Sequence, residues 1–309
     1  MLGLRRLSVL QRFAALGSIN ATALELGYSP SAVSQQLATL EREAGVALIE
    51  RTAQSANLTD AGRELAEQAA VILAAVETAE SRMRARAGTI SGRVDVSCIP
   101  GLATGLAPHL AALQREYADL TIVAHETETA RAAAALLDRS SDVAVIDDWT
   151  EAPVVAASGL TVHRLGREQV VLAVPADHEA AARPGPVGAT RLREIVAQET
   201  WLSAPPGHLS RAAGDERLAT ADAHPAHRWE FEGLTVLARL VGTGSGVALL
   251  PQGIAEDEPG VVGLPLRPRM YRYVHILTRS TTQQDPAIAQ CVSAVRDALD
   301  PRARGKVST

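Results

Sequence analysis

The sequence predicts a multidomain α/β protein: a small head of three helices, one long helix, and two lobes in which strands and helices alternate. Three observations carry this. Residues 29–41, SPSAVSQQLATLE, describe a sharply started helix with a single apolar face. Residues 60–88 contain no proline and repeat an apolar seam. From Arg93 onward, short apolar runs alternate with helical periodicities. At 309 residues the chain exceeds the usual single domain and calls for two or more.

Leu7, Leu10, Phe13 and Ala14 mark a first helix that ends near Gly17. Asn20 is placed to cap a second helix through Leu26, which Gly27 closes. Ser29 is a preferred N-cap, and Pro30 sits where its missing N–H costs nothing. Val33, Leu37, Leu40 and Ala44 then fall on one side of a 3.6-residue helix, with Ser31, Gln35, Ala38 and Arg42 opposite and Ser34 on the flank. Val46–Glu50 and Asn57–Thr59 are short extended candidates around the polar turn Arg51–Ala56, a wing. Three helices and a wing make a winged helix-turn-helix, whose third helix enters the DNA major groove. Ser29, Pro30, Ser31, Ser34 and Gln35 are the candidate contacts at its start, with Arg51 on the phosphate backbone.

Charge qualifies that reading. Residues 1–88 hold nine arginines and nine acidic residues, where a DNA-binding domain usually shows a basic excess. Glu41 and Glu43 fall at the far end of the third helix, and Arg5, Arg6, Arg42 and Arg51 are left to reach phosphates. One head alone is expected to bind weakly, so pairing matters. Residues 60–88 supply the device: Leu65, Ala69, Ile72, Val76, Ala79 and Met83 alternate spacings of four and three, a heptad seam on a helix started by Thr59 and Asp60.

Beyond Arg93, strands are expected at Arg93–Cys98, Leu120–His125 and Asp142–Ile146, with helices at Leu102–Arg115 and Ala130–Leu137. A second set follows: strands at Gln169–Val174, Trp201–Ser203, Trp229–Phe231 and Val247–Leu250, helices near Leu192–Ala197 and at Leu234–Val241. A strand at Tyr273–Leu277 and a helix over Ile288–Leu299 return to the first lobe. Two α/β lobes crossing near Arg164 and returning near Arg267 look like a periplasmic-binding-protein (type II) fold. In such a fold ligands sit at strand carboxyl ends and helix amino ends. Those positions are Ser97, Cys98, Ile99, Thr104, Thr127 and Asp147 in the first lobe and Ser203 and Phe231 in the second. Their hydroxyls and backbone N–H groups suit a small carboxylate, while Asp147, Asp148, Glu126 and Glu128 would favour an amine if they faced the cleft.

Composition narrows the classes. Apolar residues are 47% and aromatics 3%, so aliphatic side chains must build the core. No apolar run approaches the ~20 residues of a spanning helix, and Gln11 and Arg12 interrupt the start, so neither a membrane segment nor a signal peptide is expected. Two cysteines, Cys98 and Cys291, suit a reducing cytoplasm. Gly242, Gly244 and Gly246 follow a helix and precede a strand, the reverse of a nucleotide-binding loop. His224 and His227 lack further metal ligands. No catalytic constellation, metal site or cofactor is read.

The run FAALGSINATALELGYSPSAVSQQLATLEREAGVALIERTAQSANLTDAG resembles the N-terminal domain of LysR-type transcriptional regulators. Gly17-Ser18, Pro30 to Ser34, Leu40-Glu41, Gly45, Arg51, Leu58-Thr59 and Ala61-Gly62 carry the resemblance. Leu48-Ile49-Glu50 before Arg51 and Gln35 depart from the usual pattern. The resemblance extends over essentially the whole chain: a head to residue 59, a linker helix at 60–88 and an effector domain at 89–309, with lobes about 92–163 plus 268–309 and 164–267. It implies a cytoplasmic dimer or dimer of dimers that binds double-stranded operator DNA, a small-molecule effector and RNA polymerase. The rival reading is a solute-binding protein or enzyme on the same two-lobed fold.

Overall fold

The computed structural model of the chain describes residues 1–51, 56–150, 158–183 and 185–299. The head holds α1 (Leu4–Leu16), α2 (Ile19–Leu26) and α3 (Pro30–Ala44), then the antiparallel pair β1 (Ile49–Arg51) and β2 (Ala56–Leu58). Residues 52–55 of the expected wing turn lie outside the described residues. Ser18, not Asn20, caps α2: its side chain accepts the Ala21 N–H, because Ser18 is the extended residue before the helix and Asn20 already lies in the first turn. Leu7, Leu10, Phe13, Val33, Leu37, Leu40 and Leu48 are at most 1% exposed, each burial contributing about 1.5–3 kcal/mol.

The long helix α4 (Asp60–Ala87) starts at Thr59, whose Oγ1 accepts the Gly62 N–H at 2.9 Å and donates to the Ala47 carbonyl at 2.8 Å. A Cβ on Gly62 would lie 2.1 Å from the Leu48 carbonyl oxygen, so only glycine lets the helix approach the wing this closely. The expected seam divides. Leu65 and Ala69, with Ala66, pack into the head's own core, whereas Ile72 and Met83 are 37% and 57% exposed, Ala79 is exposed and Val76 half-buried; Val71, outside the seam, is 65% exposed.

The rest of the chain builds one eight-stranded sheet. The first lobe runs β3 (Gly92–Cys98), α5 (Pro100–Glu116), β4 (Leu120–Glu126), α6 (Thr129–Leu137) and β5 (Val143–Asp148). After the crossing strand β6 (Leu160–Pro175) come α7 (Ala189–Gln198), β7 (Thr200–Ser203), α8 (Leu209–Thr220), β8 (His227–Glu230), α9 (Leu234–Gly242), β9 (Val247–Pro251) and α10 (Gln252–Asp257). The returning strand β10 (Val261–Arg279) and α11 (Pro286–Leu299) follow. Strand order is β4-β3-β5-β10-β6-β9-β7-β8. The strands β3, β4 and β5 are parallel, as are β7, β8 and β9, while β6 and β10 form a long antiparallel ladder.

The ladder joins the two lobes. β10 joins β5 over Tyr273–Thr278, and β6 joins β9 over Val170–Ala173; its register shifts between Pro265 and Met270. Sequence periodicity marks only the apolar inner segments of these strands. The polar stretch LTVHRLGRE and residues 270–272 gain strand geometry from pairing across the ladder, while residues 266–269 fall in its register shift. The helix α8 also escapes the pattern, because it buries only Ala213, Gly214 and Leu218. Gly246 would place a Cβ 2.2 Å from the Thr200 carbonyl oxygen, so close packing accounts for the glycine run.

Polar contacts dock α4 on the first lobe. Glu77 accepts from Arg279 Nε at 2.9 Å, Arg139 Nε at 3.4 Å and Thr281 Oγ1, and Arg84 pairs with Asp285 at 2.6 Å. Arg12 of α1 bridges Glu25 at 2.6 Å and Asp138 at 2.8 Å, tying the head to the end of α6. No helix among the described residues is long and apolar enough to cross a membrane.

Candidate nucleic-acid interface and effector cleft

The start of α3 is built from its own residues. Ser29 Oγ accepts the Ala32 N–H at 3.2 Å and lies 2.9 Å from Ser31 Oγ. Ser29, Pro30, Ser31 and Gln35 are exposed together and Ser34 is half-buried, while Val33, Leu37 and Leu40 anchor the opposite face. Beside this surface, Arg5 donates to Tyr28 Oη through Nε at 3.0 Å and Nη2 at 2.6 Å. The Arg51 side chain lies outside the described residues.

The acidic residues of the head have structural work. Glu41 Oε1 accepts the N–H groups of Leu48 and Ile49 at 2.9 and 3.0 Å, fixing the start of the wing. Glu43 is paired with Arg6, whose hydrogen bond holds its carboxyl below the ordinary range. Arg6 is therefore spent on Glu43 rather than left for phosphate, which corrects its expected role. Arg42 stays exposed and donates to Thr39 at 2.7 Å.

The structure sorts the eight expected cleft residues into separate places. Ser97 is fully buried with its hydroxyl 3.0 Å from Ser141 Oγ, and Cys98 and Ile99 pack in the first lobe's core with Leu102 and Leu106. A parallel sheet covered by helices on both faces buries alternate residues either way, so these three do not present side chains to a cleft. Ile99 contributes its backbone instead, donating to the Val145 carbonyl at 3.1 Å. Thr104 is exposed on α5 and lines a cavity between the lobes that Thr127, Ser203 and Phe231 do not line. Thr127 is half-buried at the end of β4, its N–H on the Cys98 carbonyl at 2.9 Å.

Asp147 is not a bare carboxylate. It accepts from Trp149 Nε1 at 2.9 Å and Thr129 Oγ1 at 3.3 Å, and Arg272 Nη1 lies 3.7 Å away. Burial pushes its pKa up, against the opposing pull of Arg272, Trp149 and Thr129. In the second lobe, the Ser203 carbonyl accepts the Phe231 N–H at 3.0 Å, and Arg211 Nη1 reaches Ser203 Oγ at 3.4 Å. Phe231 and Trp229 are exposed on the sheet's outer strand end. Thr129, Trp149, Arg211 and Arg272 were not singled out from the sequence. Only Arg272 carried a usable signal: it shares the period-two inward face of Val274 and Ile276.

Residues 4–63 match the model for "Bacterial regulatory helix-turn-helix protein, lysR family", and residues 87–300 match "LysR substrate binding domain". The nitrogen assimilation regulatory protein nac of Escherichia coli is 28% identical over 84% of this chain and 81% of its own length. The DNA-binding transcriptional dual regulator OxyR of the same organism is 28% identical over 88% of each. A solved full-length OxyR variant from Pseudomonas aeruginosa shares the fold with a TM-score of 0.69 at 23% identity, covering 96% of this chain and 95% of that one. Family membership selects the regulator over the solute binder and the enzyme. The chain belongs to the LysR family: it is a DNA-binding transcriptional regulator with an effector-binding domain, not an enzyme.

Proposed function

We propose that the protein acts in the cytoplasm as a homo-oligomer, reading a near-palindromic operator through α3 and meeting RNA polymerase at its promoters. The observation that carries the reading is the exposed, self-capped start of α3, where Ser31 and Gln35 stand clear of a fully buried apolar face. Gln35 reads a base edge and the Ser31 hydroxyl contacts base or phosphate. The organisation follows the elements: a head to Thr59, a linker helix to Gly88, and the two lobes beyond. Dimerisation uses the open part of the linker helix, which offsets the head's lack of basic excess by bringing two heads to one operator.

The effector is a small carboxylate held by the Thr127 region of the first lobe and by Ser203 and Phe231 of the second. Asp147 does not oppose it, because its carboxyl is turned onto Thr129, Trp149 and Arg272. Several relatives are named hydrogen peroxide-inducible genes activators. Thiol-based peroxide reception is disfavoured in this chain: both cysteines are buried, and burial raises Cys98 and pushes Cys291 up to about 12, away from the reactive thiolate.

Gln35→Ala tests the reading. Specific operator binding should weaken by about 1–3 kcal/mol while binding to unrelated duplex stays nearly constant. An unchanged ratio of specific to non-specific affinity would remove Gln35 from base readout.

A further inference from the structure

A cavity of about 510 Å³ lies between the two lobes at the crossing strands, and Thr127, Ser203 and Phe231 are not among its lining residues. Its volume falls within the ~300–1,000 Å³ typical of small-molecule sites. Both lobes and both crossing strands wall it: α5 through Gly101, Thr104 and His109, α9 through Thr235, α10 through Ile254 and Asp257, β6 through Glu168 and β10 through Arg272.

Two features of this wall ask for a ligand. Arg272 is 1% exposed; its Nε and Nη2 donate to Glu168 at 3.1 and 2.7 Å, yet Nη1 has no hydrogen-bond partner. A buried charged donor left unmade is costly, so this atom favours an incoming acceptor. Gly101 leaves space beside it: a Cβ there would lie 3.9 Å from Nη1 and 3.4 Å from Ile254 Cδ1. The second feature is Pro108 inside α5. Proline has no N–H, so the Thr104 carbonyl lacks its usual i+4 helical donor where Thr104 borders the cavity.

Charge decides the class of molecule. Glu168 already neutralises Arg272, and Asp147 stands 3.7 Å from Nη1, so a ligand carboxylate would meet no free positive charge there. A neutral hydroxyl or carbonyl oxygen fits. Asp257 and Glu258 make the opposite wall acidic, with Glu258 paired to Arg239 at 2.8 Å. We propose that this cavity is a second ligand site for a small ammonium-bearing molecule rich in neutral acceptors. A hydroxyl or carbonyl oxygen receives Arg272 Nη1, and the ammonium rests on Asp257 and the Thr104 carbonyl. Because α5 and α11 belong to one lobe and α9 and α10 to the other, the ligand biases lobe geometry to the extent that it prefers one closure state.

Four hexose probes separate the requirements on the full-length protein: D-glucosamine below its amine pKa, D-glucose, N-acetyl-D-glucosamine and D-glucuronate. D-glucosamine alone should give a saturable thermal shift. Asp257→Asn, an exposed change, should weaken it about tenfold, the loss of one charge-assisted hydrogen bond. Gly101→Val, which fills the space beside Nη1, should abolish it, whereas Thr127→Val should leave it unchanged. Three results would each overturn the proposal: no saturable shift with D-glucosamine, equal shifts with D-glucose, N-acetyl-D-glucosamine or D-glucuronate, or a shift lost in Thr127→Val but kept in Asp257→Asn. Operator binding by the Gln35 test is independent of all three.

Discussion

The helices α3 and α4 carry similar apolar stripes but end in different circumstances. In α3, Val33, Leu37 and Leu40 are all satisfied inside the head, and the polar face is left to solvent. In α4 the stripe is split: Ala66 and Ala69 go to the head, Val71, Ile72 and Met83 stay open, and the polar Glu77 and Arg84 are the docked groups. A stripe therefore says that a face will be covered, not by what. The covering of α3 is local because its partners lie within some thirty residues of it; α4, ~40 Å long, outruns any single small core.

Four substitutions break or sharpen this contrast. Leu37→Ala should have the largest effect, destabilising the head by about 2–5 kcal/mol, since its pocket cannot collapse between three helices. Thermal denaturation of the intact protein checks it, and a change below ~1 kcal/mol would mean the head is loosely packed.

Glu77→Gln comes next, with a loss of about 1–3 kcal/mol in docking of α4 on the first lobe, read by amide exchange along 77–84. Burial raises the Glu77 carboxyl, but Thr281, Arg279 and Arg139 outweigh it and hold the pKa below the ordinary value. For an acid depressed in the folded state, the stabilisation is full above the unfolded pKa and is lost as pH falls through the folded one. Protection of 77–84 should thus fade on acidification below the normal glutamate range in the native protein and show much less pH dependence there in Glu77→Gln.

Ile72→Asp should raise the dimer dissociation constant about tenfold while the melting temperature of the head holds, as measured by sedimentation. An unchanged constant would show that the open part of α4 is not the pairing surface. Ser29→Ala is the smallest change, about 1 kcal/mol from the lost N-cap to Ala32, visible as fraying at the start of α3.

Legibility in the sequence followed the range of the interactions. The caps at Ser29, Thr59 and the glycines after α1 and α2 were readable because a cap is settled within four residues. The cap of α2 shows the margin: Ser18 and Asn20 are both good cappers, and only the backbone conformation distinguishes them. Among the cleft residues, Thr127 and Phe231 kept access, while Ser97 and Cys98 went into the core. Strand-end position alone does not reveal which sheet face a helix will cover.

What the sequence by itself determined is the head, the start of α3 with its outward Ser31 and Gln35, and the alternation of strands and helices, all set by short-range periodicity and capping. Tertiary structure alone decided the use of the charges. It turned Glu41 onto the wing and Arg6 onto Glu43, and it buried Arg272 between Glu168 and Asp147. The physical reason is that burial strengthens a charge's demand for a partner, and partners as distant as residues 168 and 272 meet only when β6 and β10 lie side by side.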